Sequence, residues 1–168
     1  MPTSDLLTAI AANADPRVPL PIVLTMVERE STFTPTKRGD AGEYGLMQLL
    51  PETVRGRDIG YRGPLEDLLK APLNVRLGTA YLALLKERHG TWPVAVRAYN
   101  GSGAAARTYS EGVFQRLPVW DRYVRDNLAF FKAAISRRGA PIVLGLVAAA
   151  VVAFFLLTRS QRTAEAEA

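Results

Sequence analysis

An uncharged run near the C-terminus limits how this 168-residue chain can fold. Residues 140–158 contain no Asp, Glu, Lys or Arg. As a helix they would be about 28 Å long, close to the hydrocarbon thickness of a bilayer. A core helix of that length would normally carry polar residues along one face. The run therefore predicts one transmembrane helix, preceded by a folded domain over residues 1–135 and a linker over 136–139, and followed by a polar tail over 159–168.

Charge and composition narrow the classes of partner. The chain has a net charge of +5, and residues 1–135 hold 17 basic and 14 acidic side chains. A modest positive balance favours anionic partners such as cell-wall polymers or lipid head groups. No Lys/Arg run exceeds two residues, so nucleic acid is not a predicted partner. There is no cysteine and the single histidine, His89, is expected to interact with a helix dipole, so no metal or cofactor is predicted.

A helical apolar stripe ends in a carboxylate. Four residues share one helix face at spacings i, i+3, i+4 and i+7: Val23, Met26, Val27 and Glu30. Glu28 is expected to face solvent instead. Burial disfavours the ionised form of a carboxyl group and raises its pKa, so Glu30 could hold a proton and donate it to a leaving group. The alternative is a structural salt bridge from Glu30 to Arg29 or Lys37.

Prolines and caps predict that residues 1–135 are mainly α-helical. Ser4 is expected to cap the first helix, and later helices are expected to begin at or beside Pro21, Pro51, Pro72, Pro93 and Pro118. The long helix from Pro72 is expected to bury one face, formed by Leu77, Tyr81, Leu84 and Leu85. Residues 32–44 are rich in Pro, Gly and charge, which predicts a loop or short strands.

The carboxylate lies within a motif that resembles a known family. Glu30-Ser31 is followed, after a short loop, by Gly45-Leu46-Met47-Gln48 and then Pro51. This order resembles the catalytic signature of the lytic transglycosylases of the soluble-lytic type, in the lysozyme-like superfamily. Further family-like segments follow in the expected order over roughly residues 18–130: Asn74-Val75, Gly78, Tyr81-Leu82, Ala98-Tyr99-Asn100 with Gly101, and Tyr123-Val124.

The resemblance implies a fold and a reaction. The fold would be an α+β lysozyme-like catalytic domain, mainly helical, that can include a small β-hairpin. Glu30 would protonate the glycosidic oxygen between N-acetylmuramic acid and N-acetylglucosamine in peptidoglycan glycan strands. The resulting carboxylate would then take the proton of the muramic acid 6-hydroxyl, which closes on C1 to give a 1,6-anhydro end. This reaction consumes no water and needs no cofactor.

The resemblance also assigns roles to residues around Glu30. Ser31 would orient Glu30 or contact the sugar. Substrate contacts are expected from five further residues: Met47 and Gln48 along the cleft, Tyr99 and Asn100 near Glu30, and Tyr123 through a hydrogen bond near the site.

One departure from the family keeps other functions open. Many members have Gly-Ala-x-Gly before Leu-Met-Gln, whereas this chain has Glu43 in the second position. Glu43, or Asp40, could act as a second carboxylate that positions a water, and the protein would then be a muramidase on the same fold. A non-catalytic wall-binding or structural membrane protein is a third class. The presence of Glu30, Gln48 and the Tyr99-Asn100 pair argues against it.

The sequence features that bear on location conflict with one another. The N-terminus lacks the basic region and continuous apolar run of a secretory signal. Basic residues slightly favour the N-terminal side of the predicted span, which would leave the domain on the cytoplasmic side. Because peptidoglycan lies outside that membrane, the sequence suggests the internal membrane of a bacteriophage virion that penetrates or lyses the cell wall locally. The alternative is the bacterial cell membrane.

Overall fold

The computed structural model describes residues 1–137. Within them the chain forms seven α-helices and one 3-10 helix, the latter over Leu65–Leu69. The α-helices are α1 Ser4–Asn13, α2 Leu20–Ser31, α3 Pro51–Arg55, α4 Ala71–His89, α5 Trp92–Asn100, α6 Gly103–Asp126 and α7 Leu128–Ser136. The predicted transmembrane span over 140–158 and the tail over 159–168 lie outside the described residues.

Helix α2 is buried along most of its length. Its residues from Leu20 to Val27 are all buried, including polar Thr25, whose hydroxyl donates to the Pro21 carbonyl at 2.7 Å. The predicted apolar stripe is therefore only part of the buried surface, because Ile22 and Leu24 on the other sides are buried as well. Burying each of these aliphatic side chains contributes roughly 1.5–3 kcal/mol. A helix that is apolar all round has to be enclosed by other elements.

The helices of the domain pack against one another in pairs. Helix α2 packs on α6, and α6 packs on α5. Helix α4 lies between α1 and α5, while α1 also contacts α7. This arrangement corrects the predicted buried face of α4. Of the four predicted residues, Leu85 is buried as expected, but Leu77, Tyr81 and Leu84 are only half-buried. Val75 and Leu82 are fully buried instead, because the helix is contacted from two sides.

Two predicted helix starts are wrong. The N-cap of α1 is Thr3, whose hydroxyl accepts a hydrogen bond from the Leu6 N–H at 3.3 Å, because Ser4 is already helical. Pro118 does not begin a helix but lies inside α6. Its ring is on the exposed side, while Leu117 and Trp120 next to it are buried and keep α6 against the core.

The hairpin implied by the family resemblance is reduced to isolated bridges. Within residues 1–137 no strand forms, and Tyr44 pairs singly with Arg38 and with Leu49 in antiparallel fashion. Tight turns interrupt the pairing, closed by bonds from Gly42 N–H to the Gly39 carbonyl and from Gln48 N–H to the Gly45 carbonyl. None of the helices in this part of the chain has both the length and the apolar character required to cross a bilayer.

Candidate active site

Glu30 lies in the last turn of α2, where the helix meets α6. The residue is half-buried. Its Oε1 accepts a hydrogen bond from the hydroxyl of Tyr109 in α6 at 2.5 Å. Tyr109 is itself buried, with 8% of its surface exposed. One side of the carboxyl group is therefore held by a side chain from a neighbouring helix.

Burial raises the pKa of the Glu30 carboxyl group above its ordinary value. The hydrogen bond from Tyr109 and the positive charge of Lys37 act in the opposite direction, while the negative charge of Glu43 adds to the increase. Burial is the largest of these influences. Glu30 therefore keeps a proton to higher pH than a solvated glutamate does, as a general acid requires.

The salt bridge to Arg29 or Lys37, which was the alternative role for Glu30, does not form within residues 1–137. The ammonium group of Lys37 donates to the backbone carbonyl of Glu30 at 2.5 Å, not to its carboxylate. The Arg29 guanidinium lies over the Tyr109 ring, 5.1 Å from its centroid. Among residues 1–137 no cationic group comes within 4.0 Å of the Glu30 carboxylate. The carboxyl group is thus available for chemistry.

The chain reverses direction immediately after Glu30 in an unusual backbone conformation. Thr32 and Phe33 both have positive φ angles, 53° and 60°. The Thr32 N–H closes the helix by donating to the Glu28 carbonyl at 3.0 Å. A β-branched residue in the left-handed region is strained, and such strain concentrates at functional sites. The reversal leaves the carboxyl group at the very end of the helix.

Asn74 of α4 holds the Gly45–Gln48 loop in place. This residue is completely buried. Its Oδ1 accepts from the Met47 N–H at 2.8 Å, and its Nδ2 donates to the carbonyls of Tyr44 and Leu68 at 2.7 and 2.8 Å. A Cβ atom on Gly45 would lie 2.5 Å from both Asn74 Nδ2 and the Leu68 carbonyl. Only glycine therefore fits where the loop approaches α4.

Tyr99 of α5 fixes the same loop from the other side. Its hydroxyl donates to the Met47 carbonyl at 2.9 Å. Burial, followed by the negative charge of Glu30, raises the pKa of Tyr99 well above its ordinary value, so the phenol remains a neutral donor. Gly78 allows this contact, because a Cβ atom there would lie 2.6 Å from Met47 Sδ and 3.2 Å from the Tyr99 hydroxyl. Met47 and Tyr99 are thus brought together as part of one site.

Gln48 and Glu43 converge above Gly39. Gln48, which also has a positive φ of 45°, donates from Nε2 to the Gly45 carbonyl at 2.8 Å. The Glu43 carboxylate accepts from the Ala41 N–H at 3.0 Å. A Cβ atom on Gly39 would lie 2.1 Å from Glu43 Oε2 and 2.7 Å from Gln48 Oε1. Of the two candidate second carboxylates, Glu43 is therefore beside the loop, whereas Asp40 is exposed.

Within residues 1–137, the side chains of three predicted site residues make no hydrogen bond to Glu30. The buried Ser31 hydroxyl donates back to the Val27 carbonyl of its own helix at 3.0 Å. Asn100 lies exposed at the end of α5. The Tyr123 ring packs edge-on against Trp120, with centroids 5.5 Å apart. Their roles toward a substrate stay predictions.

Glu28 does not face solvent as expected, and this prediction is wrong. Arg116 donates to both of its carboxylate oxygens, from Nε at 2.9 Å and from Nη2 at 2.8 Å, and Trp120 Nε1 donates at 2.8 Å. These bonds hold the pKa of Glu28 below its ordinary value, with Arg116 the main cause. Glu28 and Glu30 are thus two carboxylates of one helix with opposite pKa shifts.

Sequence reasoning also missed Tyr109. The sequence does contain a pattern that predicts its burial, because apolar residues recur at helical spacing along one face of α6. The residues of this face, all buried, are Ala106, Tyr109, Val113, Leu117 and Trp120. The expected helix start at Pro118 hid this continuous face. For residues 1–137, no group of three or more His, Cys, Asp or Glu residues is arranged to hold a metal ion.

Comparison with known proteins assigns the class. A family model described as the transglycosylase SLT domain matches residues 8–116, and the chain belongs to this family. The Glu-Ser and Gly-Leu-Met-Gln motifs predicted this family, and the prediction is confirmed.

Individual relatives are similar over part of their length. The chain is 30% identical over 112 residues to the soluble lytic murein transglycosylase of Salmonella typhimurium, covering 63% of this chain and 17% of that protein. It is 36% identical over 107 residues to membrane-bound lytic murein transglycosylase C of Glaesserella parasuis, covering 55% and 29%. A solved complex of the 70-kDa soluble lytic transglycosylase with bulgecin A aligns with a TM-score of 0.48 and 23% identity over 76% of this chain and 23% of that one. The chain therefore spans less than a third of each of these proteins.

Proposed function

We propose that this protein is a peptidoglycan lytic transglycosylase that cleaves the β-1,4 bond between N-acetylmuramic acid and N-acetylglucosamine and leaves a 1,6-anhydro end. Membership of the SLT-domain family supports the reaction class. The observation that carries the proposal is the Glu30 carboxyl group, which is half-buried, has a raised pKa and is free of any ion pair among residues 1–137. Such a group can act first as an acid and then as a base.

The reaction proceeds in two proton transfers through the same carboxyl group. Protonated Glu30 gives its proton to the glycosidic oxygen, and the bond from C1 to that oxygen breaks through an oxocarbenium-like transition state. The Glu30 carboxylate then takes the proton of the 6-hydroxyl group as O6 bonds to C1. The anhydro ring closes, Glu30 is protonated again, and no water is consumed.

The neighbouring residues shape the cleft in this proposal. Gln48 and the backbone around Met47 line it, whereas the Met47 side chain is fully buried. Asn74 and Tyr99 fix that backbone through its N–H and its carbonyl. Asn100 is exposed and accessible to a sugar. Ser31 helps to orient Glu30 by holding the end of α2, because its hydroxyl donates to the Val27 carbonyl of that helix.

Hydrolysis on the same site is the second candidate, and Glu43 favours it. The charge of Glu43 is close enough to Glu30 to raise its pKa, and Glu43 lies beside Gln48 above Gly39. A second carboxylate near the acid could activate a water and leave a reducing end, as in a muramidase.

The activity assay compares wild type with Glu30→Gln on purified peptidoglycan, followed by mass spectrometry of the products. Glutamine matches the shape of glutamate but cannot transfer the proton, so we expect activity to fall by about 10²–10⁴-fold. Glu52→Gln, at an exposed glutamate in α3, is the matched control and should cleave like wild type. An anhydro end is one water lighter than a reducing end. Products with only reducing ends would support the muramidase, and activity in Glu30→Gln would remove Glu30 from the mechanism.

A membrane location is part of the proposal. The uncharged run over 140–158 would anchor the enzyme in a bilayer by one helix. Basic residues before and after the run slightly favour a catalytic domain on the cytoplasmic side, away from peptidoglycan. Assembly into the internal membrane of a bacteriophage virion would reconcile that orientation with a wall substrate, because the particle delivers the domain to the wall of a new host.

A further inference from the structure

Two consecutive residues of α2 hold one tyrosine of α6. The Glu30 carboxylate accepts from the Tyr109 hydroxyl at 2.5 Å, and the Arg29 guanidinium lies over the ring of the same tyrosine. Arg29 can lie there because residue 112 is glycine. A Cβ atom at Gly112 would be 2.6 Å from Arg29 Nη1. The tyrosine is therefore fixed at its ring and at its hydroxyl by adjacent residues of a different helix.

From this geometry we propose that Tyr109 is a positioning residue that determines which oxygen of Glu30 carries the catalytic proton. The inference rests on the proposed transglycosylase function and concerns the same site. Tyr109 donates to Oε1, so Oε1 is the acceptor oxygen of the carboxyl group. The proton of protonated Glu30 then belongs on Oε2, which is the oxygen left to face the glycosidic bond.

The protonation state of Tyr109 makes this assignment stable. Burial, reinforced by the charge of Glu30, raises the pKa of the Tyr109 phenol well above its ordinary value. The phenol therefore keeps its proton whether Glu30 is neutral or ionised. It donates to Oε1 before the proton leaves Oε2, and it stabilises the carboxylate afterwards, when that carboxylate must collect the proton of the 6-hydroxyl group.

Other charged groups lie near Glu30, but within residues 1–137 none of them donates a hydrogen bond to its carboxylate as Tyr109 does. Lys37 and Glu43 act on Glu30 from the loop after α2, Arg29 from α2 itself, and Tyr99 from α5. Among residues 1–137 only Tyr109 donates a hydrogen bond to the carboxylate. Removing this donor destabilises the ionised form, so the pKa of Glu30 should rise further. The alkaline limb of the activity profile, where the acid loses its proton, should then move to higher pH.

The experiment uses the full chain as wild type, Tyr109→Phe and Tyr61→Phe. Tyr61→Phe removes a hydroxyl that donates to the Pro64 carbonyl in a loop, and it serves as the matched control. Cleavage of solubilised glycan strands is measured as kcat and KM over pH. The titration of the Glu30 carboxyl carbon is followed by NMR. In Tyr109→Phe we expect kcat to fall by about tenfold or more, KM to change by less than about twofold, and both the Glu30 titration and the alkaline limb to move to higher pH. Tyr61→Phe should match wild type.

Gly112→Ala provides a second variant that keeps Tyr109 and favours helix formation. The added methyl group should displace the flexible end of Arg29 from the ring, and the Glu30 titration should move in the same direction by a smaller amount. An unchanged Glu30 titration in Tyr109→Phe would overturn the inference, as would an unchanged kcat. If wild type itself did not cleave glycan, the proposed function would fail, and the Glu30 titration alone would decide whether Tyr109 holds the carboxyl group.

Discussion

At the scale of single residues, the site places a carboxylate where an uncharged group would be more stable. Because the pKa of Glu30 is raised, the folded protein binds this proton more tightly than the unfolded chain does. In the unfolded chain the same carboxyl group titrates near 4.5. Between pH 4.5 and the raised pKa of the folded protein, the unfolded state has released a proton that the folded state keeps. The free energy of unfolding therefore falls as pH rises through this range. The residue that carries the proposed chemistry is therefore expected to destabilise the fold.

Glu30→Gln should be more stable than wild type at neutral pH. Glutamine preserves the acceptor for Tyr109 and does not titrate, so the penalty of ionising a half-buried carboxyl group disappears. The gain should be absent below pH 4.5, grow as pH rises through the raised pKa of Glu30, and then level off. Urea unfolding from pH 4 to pH 8 measures it. Glu52→Gln should give no such pH-dependent gain, and a Glu30→Gln variant less stable than wild type at pH 7 would contradict the prediction.

The sequence was informative about Glu30 but not about its partner. Helical spacing placed Glu30 on the apolar stripe, which requires only residues within one turn or two. The same reasoning failed for Glu28, because Arg116 and Trp120 reach it from α6, 88 and 92 residues later. The bond from Tyr109 spans 79 residues. No local pattern in α2 could contain either contact.

At the scale of secondary-structure elements, α6 continues through a proline. Pro118 has no N–H to give to the carbonyl four residues earlier, and a proline within a helix normally costs about 3 kcal/mol. The helix persists because Val113, Leu117 and Trp120 on its inner face are buried, while Pro118 is exposed. Packing thus outweighs a local preference that, in the sequence, favoured a helix start.

Pro118→Ala should stabilise the domain by about 1–2 kcal/mol, since a backbone hydrogen bond is restored and no buried side chain is lost. The gain is smaller than the full cost of proline because the unfolded chain also becomes more flexible. Thermal and urea unfolding measure it. Val119→Ala, at the adjacent residue with 48% exposure, is the control and should change stability by less than about 0.5 kcal/mol. A destabilised Pro118→Ala would mean that the proline is required for the helix geometry.

Helix starts beside proline were predicted correctly where a local rule was sufficient. The helix after Pro72 and the one beside Pro93 begin as expected, and Gly90 ends the former with a positive φ of 79°. Residues 32–44 form the loop that the sequence allowed, and the small hairpin that the family can include does not form there, because turns at Gly42 and Gln48 interrupt the pairing. Their geometry depends on Asn74 and Tyr99, which belong to distant helices.

At the scale of the whole molecule, the order of motifs was sufficient to identify the family, although each motif is short. Their order identifies a fold in which α2, α4, α5 and α6 meet. The distances within the site, by contrast, depend on side chains that the motifs do not include, such as Tyr109 and Gly112.

The proposed membrane anchor is tested on the full chain and on a chain that ends at Arg137. The full chain should remain in the membrane fraction after alkaline carbonate extraction, because about 19 apolar residues can span a bilayer. The shortened chain should appear in the supernatant with helical circular dichroism retained. Equal partitioning of the two chains would contradict the anchor.

Orientation is read from the same cells by protease protection. Intact cells should shield the N-terminal domain from added protease, and inverted vesicles should expose it. Digestion of the domain on intact cells would instead place it on the outer surface and remove the reason for a virion location.

The long sequence separation between Glu30 and Tyr109 has a consequence for biosynthesis. A ribosome completes α2 well before it reaches the residue that holds the carboxyl group. Until α6 has been made and packed, Tyr109 cannot donate to that carboxyl group, and α6 cannot shield it from water. The raised pKa of Glu30 is therefore a property of the finished domain, and an interrupted translation product lacks it.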